Sequence, residues 1–373
     1  MPRTLDSKFH IDNIVDQYGA DLDADKVKAY CSNHEVGYQT ITKYLNQFKT
    51  KRGHWKVTVK EAKRQLEKTL ENSNVGIAKT TVQAENLVPA KDDTFIKFGA
   101  FPDLKKVIAS RLFYPVFITG MSGNGKTFGV EQACNQTNRE LIRVNITVET
   151  DEDDLIGGFR LVNGETVWHN GPVIEALERG AILLLDEVDL ASNKILCLQS
   201  ILEGKGVFLK KIGEYIKPSA GFNIVATANT KGKGSDDGRF IGTNVLNEAF
   251  LERFPVTIEQ EYPTVTTETK ILTKVSESLN IPMIGEHKKF IEHLCNWADI
   301  VRRTFNEGGV DEIISTRRLT HIIRAYSIFG NKMKSVEMCL NRFDDETKES
   351  FTQLYSKLDE TVNVTESTQS VDS

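Results

Sequence analysis

The chain has 373 residues, of which 39% are hydrophobic and 27% are charged, with a formal net charge of -5 at pH 7. This length allows two or three domains with a substantial buried core. Because the charges nearly balance, the composition of the whole chain makes no case for nucleic-acid or membrane binding. Five scattered cysteines favour reduced thiols over a disulfide framework.

The start of the chain, residues 1–10, lacks the apolar segment of a signal peptide. No apolar run approaches the length that is needed to span a bilayer. We therefore expect a cytoplasmic protein with no membrane partner.

Residues 1–71 are predicted to form a small, mostly helical module, and residues 72–92 a linker. Apolar spacing predicts one helix over 23–31, with Asp23 as its cap, and a second over 38–48. A helix-favouring charged pattern continues over 56–70. The linker loses this periodicity and contains Gly, Pro, Asn and Thr.

The second half of this module is basic, and aromatic residues are interleaved from Lys43 to Lys68. Residues 40–57 can be interpreted as a recognition helix followed by a basic β-turn, as in helix-turn-helix modules. The alternative is a helical protein-docking domain whose basic face is simply solvated.

From residue 93 onward, short apolar runs alternate with helical patterns. Runs that are apolar on both faces are typical of parallel strands covered by helices on either side. They occupy 116–119, 141–144, 181–185 and 222–226. We predict an α/β fold with an αβα core and a parallel sheet at 93–260. Helical patterns predict a lid at 261–358, and the polar tail at 359–373 is expected to be disordered.

The motif G-x-x-x-x-G-K-T directly follows the first apolar run and precedes a helix, as in P-loop nucleotide-binding proteins. Its glycines allow backbone N–H groups to point at phosphate oxygens, and the helix N-terminus adds a positive dipole. Lys126 is expected to reach the β- and γ-phosphates, and the Thr127 hydroxyl to ligate Mg²⁺. The predicted cofactors are ATP and Mg²⁺. The predicted nucleotide-binding residues are Gly120, Met121, Ser122, Gly123, Asn124, Gly125, Lys126, Thr127 and Phe128.

Two later strands end in polar residues that suit ATP hydrolysis. Asp186 fits the carboxylate that holds Mg²⁺, and Glu187 fits the general base that activates water. Asp189 is interpreted as a solvated or structural acid. The third strand leads to Asn229, and we expect this strand to lie between the other two and to present the Asn229 amide to the γ-phosphate.

In this order, the P-loop, the acidic pair and the strand ending in Asn resemble the AAA+ ATPases, which are P-loop NTPases. The finer resemblance is to the MoxR-like branch, and within it to the small ATPase subunit of aerobic cobaltochelatase (CobS-like). Residues 154–177 look like the insert that this branch places in its second helix, and residues 226–254 resemble its Gly-rich loop and arginine segment. The resemblance covers roughly residues 93–330 and leaves out residues 1–75.

The resemblance implies roles for two arginines. Arg253 matches the arginine finger, which acts on ATP bound to the neighbouring subunit, so the chain is expected to form a ring, as hexameric relatives do. Arg317 matches the second sensor, where relatives have Ser-Pro-Arg. Thr316 stands here in place of that Pro, and the adjacent Arg318 leaves open which arginine reaches the nucleotide.

The resemblance also implies a partner. Such a ring remodels or activates a client protein, as a general MoxR-like chaperone or with a von Willebrand-type metal-ion-binding subunit and a chelatase subunit. A nucleic-acid-directed motor that uses residues 1–71 as its reader is the alternative.

Two hairpins are predicted inside the core, at Asn163-Gly164 and at Ile212-Gly213, where turn residues stand between alternating apolar residues. The resemblance implies that both project from the ring face or pore. Their aromatic side chains either contact a client or pack the hairpins onto the core. These residues are Trp168, His169 and Phe208.

Overall fold

The computed structural model describes residues 7–19, 21–34, 36–56, 86–234, 242–282 and 284–359. The chain divides into two compact units, residues 1–79 and 80–373. The helical pattern predicted after residue 56 and most of the predicted linker and tail lie outside the described residues.

In its described residues, 7–19, 21–34 and 36–56, the N-terminal unit combines three helices with a three-stranded antiparallel sheet in the order β1-β3-β2. Its elements are α1 (Ser7–Tyr18), β1 (Asp21–Asp23), α2 (Ala24–Asn33), α3 (Tyr38–Leu45), β2 (Lys49–Lys51) and β3 (His54–Lys56). Both predicted helices are present, and the second ends in a 3₁₀ turn over Asn46–Phe48. The Asp23 carboxylate caps α2 as predicted, because it accepts a hydrogen bond of 2.9 Å from the Lys26 backbone N–H.

A parallel five-stranded sheet forms the centre of the second unit. Its strands are β4 (Val116–Thr119), β5 (Leu141–Asn145), β8 (Ile182–Asp186), β11 (Asn223–Ala228) and β12 (Val256–Glu259). The strand order is β12-β4-β11-β8-β5, so β11 lies between β4 and β8, as predicted. The edge strand β12 was not predicted, because its residues alternate between half-buried and exposed positions and form no apolar run.

Both faces of this sheet are covered, which explains the continuous apolar runs. On β8, Leu183 and Leu185 enter one core cluster, while Ile182 and Leu184 enter another on the opposite face. The helices along this part of the chain are α4 (Phe101–Ser110), α5 (Lys126–Gln136), α6 (Glu152–Leu155), α7 (Pro172–Arg179), α8 (Gln199–Leu202) and α9 (Glu248–Leu251). The predicted αβα core is confirmed.

A helical region follows β12, as predicted. Its helices are α10 (Val265–Ser278), α11 (Glu286–Asn306), α12 (Thr316–Phe329), α13 (Lys332–Leu340) and α14 (Asp345–Leu358). They pack around a separate apolar cluster in which Phe290, Trp297 and Tyr355 are almost fully buried. Among the residues described, no helix has the length and apolar character that crossing a membrane requires.

The two predicted hairpins are present. Strands β6 (Gly157–Val162) and β7 (Glu165–Asn170) pair across a turn in which Asn163 and Gly164 have positive φ. Strands β9 (Val207–Leu209) and β10 (Glu214–Ile216) form the second hairpin. Trp168 packs against the sheet core, and His169 is half-buried, whereas Phe208 is 54% exposed.

Candidate nucleotide site

Residues 120–125 connect β4 to α5 through a loop that requires glycine. Gly120, Gly123 and Gly125 have φ values of 144°, 73° and 90°. A Cβ on Gly120 would lie 2.1 Å from the Gln260 carbonyl oxygen. Only glycine combines this backbone conformation with so close an approach.

Contacts from β12 and the lid hold the same loop in place. The Asn124 side-chain amide donates to the Gln260 carbonyl at 2.5 Å, and the Tyr262 hydroxyl donates to the Ser122 carbonyl at 2.7 Å. The backbone N–H of Arg317, in the first turn of α12, donates to the Gly123 carbonyl at 3.2 Å. The loop is therefore positioned by both the sheet and the lid.

The ammonium group of Lys126, the first residue of α5, lies between the loop and Asn229. It donates to the carbonyls of Gly120 at 2.5 Å and Met121 at 3.0 Å, and to the Asn229 side-chain oxygen at 3.2 Å. Burial lowers the pKa of Lys126 to about 8, although nearby Asp189 and Asp186 act in the opposite direction. Three oxygen acceptors thus hold a cation at the mouth of the predicted phosphate loop.

The two predicted metal ligands are in direct contact. The Thr127 hydroxyl donates to Asp186 Oδ1 at 2.8 Å, and the Thr227 hydroxyl donates to the same oxygen. Arg143 Nη2 lies 2.5 Å from Asp186 Oδ2. A carboxylate beside a hydroxyl is the oxygen donor set that Mg²⁺ prefers, so these residues fit the ion.

Glu187 follows at the end of β8 and has an uncommon backbone. Its φ of 60° and ψ of 43° are left-handed, and its side chain is exposed toward the cavity. Its backbone N–H donates to the Thr227 hydroxyl at 3.3 Å. Left-handed non-glycine residues occur often at functional sites, since surrounding contacts must hold them there.

Asp189 is a structural acid, one of the two interpretations that the sequence left open. Its side chain is fully buried, and Oδ2 accepts hydrogen bonds of 2.9 Å from the backbone N–H groups of Asn229 and Thr230. Asp189 therefore fixes the end of β11 and holds Asn229 beside Lys126.

One cavity of about 290 Å³ lies between the sheet and the lid, and its lining includes residues 122–128 but not Gly120, Met121 or Asp189. Its polar lining includes Lys126, Thr127, Asp186, Glu187 and Asn229. Its apolar lining includes Phe95, Ile96, Phe98, Phe128, Ile271 and Val275. A cavity that combines charged groups with aromatic and aliphatic side chains suits a nucleotide.

Residues from the segment 92–98 supply part of the apolar lining and were not predicted as part of the site. Phe95 packs edge-to-face on Phe128, with 5.3 Å between ring centroids. The residues just before this segment belong to the predicted linker, and they are hydrogen-bonded to side chains of α5. Gln132 and Asn135 donate to the carbonyls of Ala90 and Pro89 at 3.0 and 2.8 Å. The only sequence signal was the pair of phenylalanines in Phe95–Phe98.

The arginines occupy different places. Arg317 lines the cavity together with Arg324, which was not predicted as a site residue. Arg318 points elsewhere, since its guanidinium lies 4.4 Å from the Phe343 ring centroid and donates to the Cys339 carbonyl. Arg253 is not among the described residues that line the cavity, and its Nε and Nη2 lie 3.0 and 2.8 Å from Glu203 Oε1.

The parallel sheet and this loop define a P-loop nucleotide-binding domain, and comparison with known proteins places it more finely. Residues 115–254 match the family described as the AAA domain of the dynein-related subfamily. The chain therefore contains an AAA domain of this subfamily.

Several relatives share this part of the sequence. The aerobic cobaltochelatase subunit CobS of Sinorhizobium is 25% identical over 222 residues, which are 58% of this chain and 66% of that protein. An uncharacterized protein of Staphylococcus saprophyticus is 28% identical over 247 residues, 63% of this chain and 86% of that protein. Midasin of Dictyostelium discoideum is 30% identical over 184 residues, 47% of this chain but only 3% of midasin. The expected relationship to AAA+ ATPases and to CobS is confirmed.

Among solved structures, the Thermotoga maritima RuvB Holliday junction branch migration motor is similar, with a TM-score of 0.43 and 18% identity. The match covers 70% of this chain and 75% of that chain.

Proposed function

We propose that the chain is a ring-forming Mg²⁺-dependent ATPase that remodels or activates a protein partner. The observation that carries this proposal is the presence of one lysine, one hydroxyl, two carboxylates and one amide in the lining of a single cavity. These groups are Lys126, Thr127, Asp186, Glu187 and Asn229. The AAA domain assignment supports the same reaction.

Each side chain has a task in ATP hydrolysis. Lys126 binds the β- and γ-phosphates in place of its present carbonyl partners, and the loop N–H groups bind the remaining oxygens. Thr127 and Asp186 would hold Mg²⁺, which neutralises charge on the phosphates. Glu187 accepts a proton from the attacking water, and Asn229 orients that water. Arg317, on the lid, senses the γ-phosphate.

Arg253 is proposed to act on a neighbouring subunit. Its position beside Glu203, away from the cavity of its own chain, supports this role, because a group that serves another subunit must lie at an interface. A head-to-tail contact of this kind closes into a ring when the rotation allows it. We propose a hexamer.

Mixing two inactive variants tests the shared site. Arg253→Ala should bind ATP and assemble but lose hydrolysis, and Lys126→Ala should not bind ATP. Mixed rings should regain part of the activity, since some sites combine an intact loop with an intact finger. Arg303→Ala is the matched control, because Arg303 is an exposed lid arginine paired with Asp299. Normal turnover by Arg253→Ala alone would contradict the proposal.

The relationship to CobS supports a protein client. The two forms of this proposal are a general MoxR-like chaperone and the ATPase of a chelatase-type complex with a von Willebrand-type subunit. Glu187→Gln should bind ATP and hydrolyse it very slowly, so it should retain its client, whereas Lys126→Ala should release it. Recovery of a von Willebrand-type protein with Glu187→Gln alone would support the chelatase-type complex.

A further inference from the structure

Up to residue 56, the described part of the N-terminal unit has the order of elements of a winged helix. Its sequence of helix, strand, two helices and two strands forms a sheet in the order β1-β3-β2. In this arrangement α2 and α3 are the helix-turn-helix, and the β2–β3 hairpin is the wing. Gly37 precedes α3 as its N-cap, which makes the short turn between the two helices. The sheet was not predicted, and it extends the interpretation of residues 40–57 as a recognition helix and turn.

One face of α3 packs into the core, and the opposite face is exposed to solvent. Ile41 and Leu45, one helical turn apart, are 1% and 0% exposed and pack in the same cluster as Val27 and Tyr30 of α2. Lys43 lies on the opposite side and is exposed. The helix is therefore held as a recognition helix must be, with a polar face toward solvent.

The hairpin is anchored in a similar way. Trp55 on β3 is 5% exposed and pairs with Leu22 of β1, so it fixes the wing to the core. All three residues of β2 are exposed, as are His54 and Lys56 on either side of Trp55. The outer surface of the wing is therefore entirely polar.

Charge is divided sharply within this unit. Residues 38–56, which form α3 and the hairpin, contain five Lys and Arg residues and no Asp or Glu. Residues 7–37 contain six Asp and Glu residues and only three lysines. The five cations are Lys43, Lys49, Lys51, Arg52 and Lys56. The whole-chain charge of -5 conceals this division.

These five cations are exposed, and within the described ranges none of them has an ion-pair partner. The lysines of α2 differ, because Lys28 lies 3.7 Å from Asp25 and Lys26 donates to the Asp21 carbonyl at 2.8 Å. An ordinary solvated surface mixes both signs of charge. A surface with cations alone, on two rigid elements side by side, is complementary to a polyanion.

We infer that α3 and the β2–β3 hairpin bind duplex DNA. An eight-residue helix is about 12 Å long, which suits a major groove about 12 Å wide. In this arrangement α3 enters the groove with Lys43 toward the backbone, and the wing cations contact adjacent phosphates. This binding is independent of ATP hydrolysis and would direct the ATPase to a nucleic acid.

The test uses the full chain and a fluorescently labelled duplex of random sequence, titrated by anisotropy at several salt concentrations. Affinity should fall with salt by about 0.9 log units per log unit for each phosphate contacted. Lys49→Gln/Lys51→Gln/Arg52→Gln should weaken binding at least about tenfold at low salt and make this slope shallower. Lys26→Gln/Lys28→Gln, on α2 of the same unit, is the matched control and should bind as the unaltered chain does.

Three outcomes would overturn the inference. They are no duplex binding at about 50 mM salt, an equal loss in the triple variant and its control, and tighter binding of single-stranded RNA than of duplex DNA. Unchanged circular dichroism and thermal unfolding of the triple variant would exclude misfolding of the N-terminal unit as the cause of its loss, and unchanged basal ATPase rates would show that residues 80–373 are unaffected. Lys126→Ala should still bind DNA, so failure of the ATPase proposal and failure of this inference are distinguishable.

Discussion

The guanidinium of Arg143 lies 2.5 Å from the carboxylate of Asp186, the residue proposed to hold Mg²⁺. Arg143 extends from β5, which pairs in parallel with β8, and it also contacts Glu131 at 3.2 Å. The other Asp186 oxygen accepts a hydrogen bond from Thr127. The metal ion and the arginine must therefore share, or compete for, one carboxylate.

Competition predicts that Arg143→Met lowers the Mg²⁺ concentration needed for half-maximal ATPase activity. A hydrogen bond to a charged group contributes about 1.5–3 kcal/mol, but Arg143 is partly exposed, so we expect a shift of only about twofold to tenfold. A Mg²⁺ titration at saturating ATP measures this shift. Arg303→Met is the control and should leave it unchanged. A higher Mg²⁺ requirement in Arg143→Met would mean that Arg143 orients Asp186 instead of competing for it.

The pKa of Lys126 predicts a pH dependence of nucleotide binding. Burial lowers this pKa to about 8, so the amine is protonated below about pH 8 and neutral above it. Phosphate binding favours the protonated form and raises the pKa, so binding at higher pH must take up a proton. ATP affinity should therefore fall by up to about tenfold per pH unit above pH 8.

Calorimetry at pH 8.5 in buffers of different ionisation enthalpy measures this proton uptake directly. Lys126→Arg should bind more weakly but without the pH dependence, because an arginine stays protonated. A constant affinity between pH 7.5 and 9.5 in the unaltered chain would contradict the lowered pKa.

The two adjacent lid arginines should behave differently. Arg317 lines the cavity, whereas Arg318 packs on Phe343. Arg317→Ala should weaken ATP binding or slow turnover about tenfold to hundredfold, as expected for loss of one charged hydrogen bond. Arg318→Ala should change ATP affinity less than about twofold and instead lower stability by about 1 kcal/mol. ATP titrations and thermal unfolding of both variants test this assignment, and the reverse pattern would make Arg318 the sensor.

A buried ion pair supports the first turn of α12. Glu268 and Arg302 are 0% and 7% exposed, and Arg302 contacts both Glu268 oxygens at 2.8 and 2.9 Å. The Thr316 hydroxyl donates to Glu268 at 2.5 Å, which gives a physical reason for threonine at the position where the sequence resemblance implies proline. Through Thr316, this pair positions the neighbouring Arg317.

Removing one partner of this ion pair should destabilise the folded protein. Arg302→Met should lower the free energy of unfolding by roughly 3–5 kcal/mol, because it leaves a buried carboxylate without its cation. The double variant Arg302→Met/Glu268→Leu should recover most of that loss, since apolar residues can replace a whole buried pair. Urea unfolding followed by tryptophan fluorescence measures both. Equal destabilisation in the single and double variants would show that side-chain shape, not unpaired charge, is responsible.

Local patterns in the sequence were enough to predict which residues lie together at the centre of the candidate site. The loop around Lys126, the strand before Asp186 and the position of β11 each depend on a few adjacent residues with distinctive composition. The residues that were missed depend on contacts between distant parts of the chain. Arg143 reaches Asp186 from a neighbouring strand, and Phe95 meets Phe128 from a segment without periodicity.

Contacts between distant parts of the chain also explain why the two adjacent lid arginines lie in different environments. The sequence resemblance assigned Arg317 as the sensor but left open whether Arg318 reaches the nucleotide instead, because the direction of each side chain depends on how α12 packs against α13 and the cavity. The wing of the N-terminal unit was predicted only as a basic β-turn, without its strands, for a related reason. Its strands have three residues each, which is too short for a strand pattern to be recognised.

Calorimetric titration of the assembled chain with ATP and Mg²⁺ tests the central claim most directly. We predict saturable binding to the unaltered chain and no detectable binding to Lys126→Ala. Absence of binding heat in the unaltered chain at more than one temperature, or equal binding by both, would contradict a phosphate site at residues 120–127.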